Sequence, residues 1–98
     1  MATIEIRRQH ALTKDDAKKR AEELARGMED KLGIRWRWDG DLIRFDAPGG
    51  AAKGTTGLVR VEASAVQVEI DLPFLLKAMK GMVESKVNEK LDAVLSKA

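Results

Sequence analysis

The sequence has no cysteine, one histidine, 4% aromatic residues and no long hydrophobic run. Without cysteine there is no disulfide frame and no thiolate zinc site, which fits a reducing compartment. No apolar stretch reaches the roughly 18–20 residues that span a bilayer. The start, Met1-Ala2-Thr3-Ile4-Glu5, alternates at once and shows no signal-peptide core, so the expected location is cytoplasmic. Neither sign of charge dominates: 18 Lys and Arg stand against 16 Asp and Glu, a formal net charge of +2. The basic residues are interleaved with acidic ones, despite a pI near 9.0. A dedicated nucleic-acid surface concentrates its basic charge, so that role is disfavoured.

What is present suits one folded domain over residues 1–98. A hydrophobic fraction of 44% with 35% mixed charges supports a core and excludes the disordered class. Ile4 and Ile6 alternate with Thr3, Glu5 and Arg7, the pattern of a half-buried strand. Thr13 with Asp16 three residues on is a variant capping box, and Asp15 and Asp16 suit the positive helix end. Ala17, Ala21, Leu24, Ala25, Met28 and Leu32 recur at helical spacing up to Gly33, a left-handed stop. The spacing predicts a helix over 14–32. Its alanine-rich stripe allows close approach to a sheet.

Ile34, Trp36 and Trp38 alternate with Arg35 and Arg37; Ile43 and Phe45 alternate with Arg44. Asp39-Gly40 between them signals a tight hairpin turn. That turn pairs Trp36 with Ile43; a turn at Gly40-Asp41 moves the pairs but keeps the faces. Residues 47–57 have turn-former composition and no period, and read as a flexible loop. Val59 and Val61, then Val66, Val68 and Ile70, form a second hairpin about a Ser64-Ala65 turn that sets Arg60 opposite Glu69. Pro73 opens a last helix to about residue 97, with apolar positions at Leu75, Leu76, Met79, Met82, Val83, Val87, Leu91, Val94 and Leu95.

The fold class that follows is α+β: a two-layer sandwich in the order β-α-β-β-β-β-α, with both helices on one face of an antiparallel sheet. A last helix of about 25 residues is about 37 Å long, whereas six-residue strands give about 20 Å. Its apolar stripe continues to the end. Val87, Leu91, Val94 and Leu95 are therefore the expected seam of a homodimer, or of attachment to an apolar surface.

Candidate sites are few. His10 has no cysteine to activate and no evident partner in Ser64 or Ser85, so it reads as a backbone tie at the strand–helix junction. Lys53-Gly54-Thr55 resembles part of a phosphate cradle, but the order is wrong for a P-loop and a strand follows it. No acid/base dyad, metal cluster or cofactor motif emerges; the expected catalytic, metal and cofactor sets are empty. Arg35, Arg37, Arg44 and Arg60 project from the outer face, with Arg44 facing Arg35 or Arg37. Such a facing pair calls for carboxylates nearby or an anionic partner. Trp36, Trp38 and Phe45 lie on the inner face, as core or as the lining of an apolar ligand pocket.

Several runs carry a resemblance. Ile4-Glu5-Ile6-Arg7-Arg8-Gln9-His10-Ala11-Leu12-Thr13 with Ala17 resembles the opening of the polyhydroxyalkanoic acid system proteins. So do Trp38-Asp39-Gly40-Asp41 with Phe45, the Gly57 strand leading to Val68-Glu69-Ile70-Asp71-Leu72-Pro73, and Phe74-Leu75-Leu76-Lys77. That family is named for genes lying near polyester-granule storage genes, and it supplies no catalytic residues to transfer. The resemblance implies a non-enzymatic accessory or binding protein associated with polyhydroxyalkanoate granules. The order of elements is also similar to a reduced helix-grip fold of START and polyketide-cyclase domains. That similarity implies the alternative, a small carrier of apolar or acyl ligands.

Overall fold

The structure, a computed structural model, describes residues 3–50 and 52–95. Strand β1 (Ile4–Gln9) is followed by helix α1 (Lys14–Leu32) and strands β2 (Arg35–Asp39), β3 (Leu42–Asp46), β4 (Thr56–Val61) and β5 (Ala65–Asp71). A 3-10 segment (Phe74–Met79) then leads into helix α2 (Lys80–Leu95). The sheet order is β1-β5-β4-β3-β2 and every pair is antiparallel. Helix α1 thus carries the chain from one edge of the sheet to the other, and the remaining strands meander back until β5 meets β1. The α+β sandwich expected from the pattern is the fold.

Helix α1 has the bounds its caps dictate. Thr13 Oγ1 accepts from Asp16 N at 3.1 Å, and Gly33, at φ 69°, donates its N–H to Glu29 O. Ala17, Ala21, Leu24, Ala25 and Met28 are its buried face. Opposite them stand Ile4, Ile6, Ile43, Val59, Val61, Val66, Val68 and Ile70 from the sheet. Helix α2 packs on α1 and on β1. Arg8, inward-facing near the end of β1, pairs with Asp92 and donates to Asn88 Oδ1 at 2.8 Å, tying that edge strand to α2.

Both hairpins differ from their first-choice registers by one turn position. In β2–β3 the pairs are Trp36 with Phe45 and Trp38 with Ile43, so Gly40-Asp41 is the turn. Gly40, at φ 64°, is its first residue, and among the described residues no non-glycine has positive φ, so Asp41 does not, which meets the requirement of a type II′ turn. In β4–β5, Glu62 N donates to Ala65 O at 2.8 Å, which makes Ala63-Ser64 the turn rather than Ser64-Ala65. Arg60 therefore faces Gln67, not Glu69. It still reaches Glu69 on the diagonal, with 3.7 Å between Nη1 and Oε2. The inner faces are unchanged because each register moves by an even number of positions.

Residues 47–57 are held more firmly than a flexible loop. Ala47 N donates to Thr55 O at 2.8 Å and Gly54 N to Ala47 O at 3.0 Å, extending the β3–β4 ladder past Asp46 and Thr56. Ala47, Ala52 and Thr55 are buried, and Gly54 backs onto the Pro73 ring. Ala51, also read as part of that loop, lies outside the described residues.

The last helix is the main departure. Its α-helical part has 16 residues, about 24 Å, and matches the sheet rather than overrunning it. Val87, Leu91 and Val94 are buried within the chain's own core. Three residues of the expected dimer seam are thus part of the chain's own core, and Leu95 packs partly against it. The expected continuation to residue 97 lies outside the described residues. At the other end Phe74, Leu75 and Met79 on the 3-10 segment, and Met82 in the first turn of α2, are exposed.

Candidate functional site

The outer face of the sheet is a lattice of paired charges. Arg35 donates to Asp46 at 3.0 Å, Arg44 to Asp39 at 2.9 Å, and Arg60 lies 3.7 Å from Glu69. Arg7 grips Glu62 through two nitrogens, at 2.7 and 3.0 Å. That hydrogen bond, with the charge behind it, holds the Glu62 carboxyl below its ordinary value and raises Arg7. Arg37 stands directly opposite Arg44, as expected from the hairpin, and among the described residues it forms no ion pair. On the same cross-sheet line Glu5 faces Glu69. A shallow recess of about 510 Å3 there is lined by Arg37 and Arg44 but also by Glu5, Asp46, Glu69 and Asp71. The four arginines named from the sequence share one face, and local carboxylates answer three of them.

Trp36 and Trp38 lie on the edge strand β2 and cover the flank of α1. Their indole N–H groups donate to Glu29 at 3.3 Å and Glu22 at 3.0 Å, and the Lys18 ammonium sits 5.0 Å from the Trp38 ring centre. Phe45 is buried. Its ring fills the space over Gly57 on β4, where a Cβ would stand 2.5 Å from Phe45 Cζ. These three aromatics seal the edge of the core, and the apolar groove described below includes none of them.

His10 occupies the strand–helix junction. Leu12 N donates to Nδ1 at 3.1 Å, so in the neutral ring the proton is on Nε2, which stands 3.2 Å from Glu62 O. The backbone of His10 also donates to Ser64 O at 2.9 Å. Both ring nitrogens are thereby committed to backbone groups: Nδ1 within the strand–helix junction and Nε2 across to the β4–β5 turn. Among the described residues no group of three or more His, Asp or Glu side chains is placed to hold a metal, and no helix is long and apolar enough to cross a membrane.

The feature sequence periodicity missed is an apolar surface at the start of the last helical region. Phe74 and Leu75 are 83% and 87% exposed, and Met79 and Met82 are exposed beside them. The signal was present: the stripe through Leu76, Val83, Val87, Leu91 and Val94 runs at helical spacing, and Phe74 and Leu75 lie off it. Next to this surface an open groove of about 640 Å3 separates the end of α1 from α2. Met28, Leu32, Met79, Met82, Val83 and Val87 give it apolar walls; Lys31, Lys86, Lys90 and Glu89 are its charged residues.

No curated protein matches the chain, and no solved structure does. A family model does, over nearly the whole of the fold just described. The family described as "Putative polyhydroxyalkanoic acid system protein" matches residues 4–95, and the chain belongs to it.

Proposed function

We propose that the protein is a non-enzymatic accessory protein of the cytoplasmic polyhydroxyalkanoate storage system, and that it attaches to the apolar granule surface through Phe74 and Leu75. The observation carrying this reading is the exposure of those two neighbours, 83% and 87%, on a segment that packs on the core through Leu76 and leaves them facing solvent. Burying each at an apolar surface would contribute roughly 1.5–3 kcal/mol. Exposed Lys77 and Lys80 beside them keep the segment hydrated when it is free. The commitment of His10 to backbone contacts and the pairing of the outer-face charges support a binding role over a catalytic one.

Co-sedimentation with purified polyhydroxybutyrate particles tests this. Wild type is expected in the pellet; a Phe74→Ser/Leu75→Ser variant with unchanged melting temperature is expected in the supernatant. Tagged wild-type protein that stays diffuse in granule-filled cells would refute the attachment. A second reading, a small carrier of apolar or acyl ligands, is favoured by one observation, the groove between α1 and α2. Trp36, Trp38 and Phe45 are not its walls.

A further inference from the structure

The groove between α1 and α2 has a composition that selects its occupant. Its volume, about 640 Å3, lies in the range of small-molecule sites. The walls are methionine, leucine and valine, and methionine adapts readily to flexible apolar chains. Three lysines line it against one glutamate. Lys31, Lys86 and Lys90 form no ion pair with a described residue, in a protein whose outer-face arginines are nearly all answered.

Lys90 lies against Gly27. A Cβ built on Gly27 would stand 2.3 Å from Lys90 Cε and 2.9 Å from Nζ. The lysine side chain therefore lies across α1 in the slot that a missing side chain leaves. Glycine inside a helix costs about 1 kcal/mol relative to alanine. Here it lets an ammonium group rest at the side of an apolar cleft, with no carboxylate bound to it.

We propose that this groove binds a single-chain acyl carboxylate, its hydrocarbon tail along Met28, Leu32, Met82 and Val83 and its carboxylate on Lys86 and Lys90. The proposal deepens the carrier reading. It is separate from surface attachment, because Phe74 and Leu75 line no part of the groove. A second copy of the chain fits poorly, since two such faces would bring lysines together around the apolar contact. A neutral apolar ligand would leave those ammonium groups answered by water alone.

The test is titration of the full chain with dodecanoate below its micellar concentration, followed by backbone amide shifts and by displacement of a dansyl-tagged fatty acid. One molecule is expected to bind per chain, with the largest shifts at Gly27, Val83 and Lys90. Dodecanol is expected to bind about tenfold or more weakly, as is dodecanoate to the Lys86→Gln/Lys90→Gln variant, the loss of a charge-assisted contact. Met82→Asp, at an exposed position that leaves the core intact, is expected to abolish binding while the melting temperature holds. Equal binding of dodecanol and dodecanoate would overturn the anionic assignment but leave an apolar carrier standing. Binding of neither would overturn both. Self-association that Met82→Asp abolishes, with no dodecanoate bound, would assign the groove to a second copy instead.

Discussion

The ring of Phe45 on β3 lies across Gly57 on β4, its cross-strand partner. A Cβ added at Gly57 would stand 2.5 Å from Phe45 Cζ and 2.3 Å from the carbonyl oxygen of Glu69. The absent side chain is what lets the ring close the core beneath Trp36. Gly57→Ala is expected to destabilise the fold by about 1–3 kcal/mol, the cost of overpacking. Chemical denaturation measures it. Phe45→Leu in the Gly57→Ala background is expected to give little relief, because the backbone carbonyl remains.

Leu91 is fully buried between α2, α1 and the sheet. Leu91→Ala is expected to cost about 2–5 kcal/mol, through lost burial and the cavity left behind. The loss should be the same at low and high protein concentration, because the residue packs within one chain. A destabilisation that grows on dilution would instead place Leu91 between subunits. Leu75→Ser, at the exposed end of the same region, is expected to change stability by less than about 0.5 kcal/mol.

His10 links two backbone segments through its ring. His10→Ala leaves the Leu12 amide and the Glu62 carbonyl without that partner. The expected cost is about 1–2 kcal/mol. Amide hydrogen exchange should locate it, with Leu12 losing protection more than the centre of β4.

Glu62 and Asp41 both titrate below their ordinary values, because a hydrogen bond from Arg7 holds the first and one from Lys14 the second. A carboxylate whose folded value is depressed contributes stability above its unfolded value and loses it as the pH falls through the folded one. The stability difference between wild type and Glu62→Gln should therefore be present at pH 7 and fade in acid, as the pH falls through the depressed folded value. Both pairs are exposed, so the difference is small and shrinks in high salt. Urea midpoints followed from pH 7 into acid check it.

Much of this architecture was legible because two periods were clean. Ile4 and Ile6, or Val66, Val68 and Ile70, alternate strictly, and the Thr13 and Gly33 caps fixed α1. Register was less legible. Asp39-Gly40-Asp41 and Ala63-Ser64-Ala65 each offer two tight turns on the same faces, and the choice rests on which residue takes positive φ and where Glu62 N finds its acceptor. The last helix misled because apolar residues continue through it without a break. Pattern alone could not tell that Val87, Leu91 and Val94 meet α1 while Phe74 and Leu75 meet nothing. The lysine-lined groove was illegible for the same reason: it joins Gly27 and Lys90 across two helices, a relation with no sequence period.

The crossover of α1 also has a temporal side. Thr3, just ahead of β1, bonds to Asp71, 68 residues away. Strand β1 docks along β5, the last of the described strands. As a nascent polypeptide leaves the ribosome, its first strand must wait for its fifth before either can finish the sheet. Such distant closure carries a loop-entropy cost and makes folding slower than that of a helical bundle of this size. Until then Ile4 and Ile6 lack Ile70 and Val68, their cross-strand neighbours in the closed sheet.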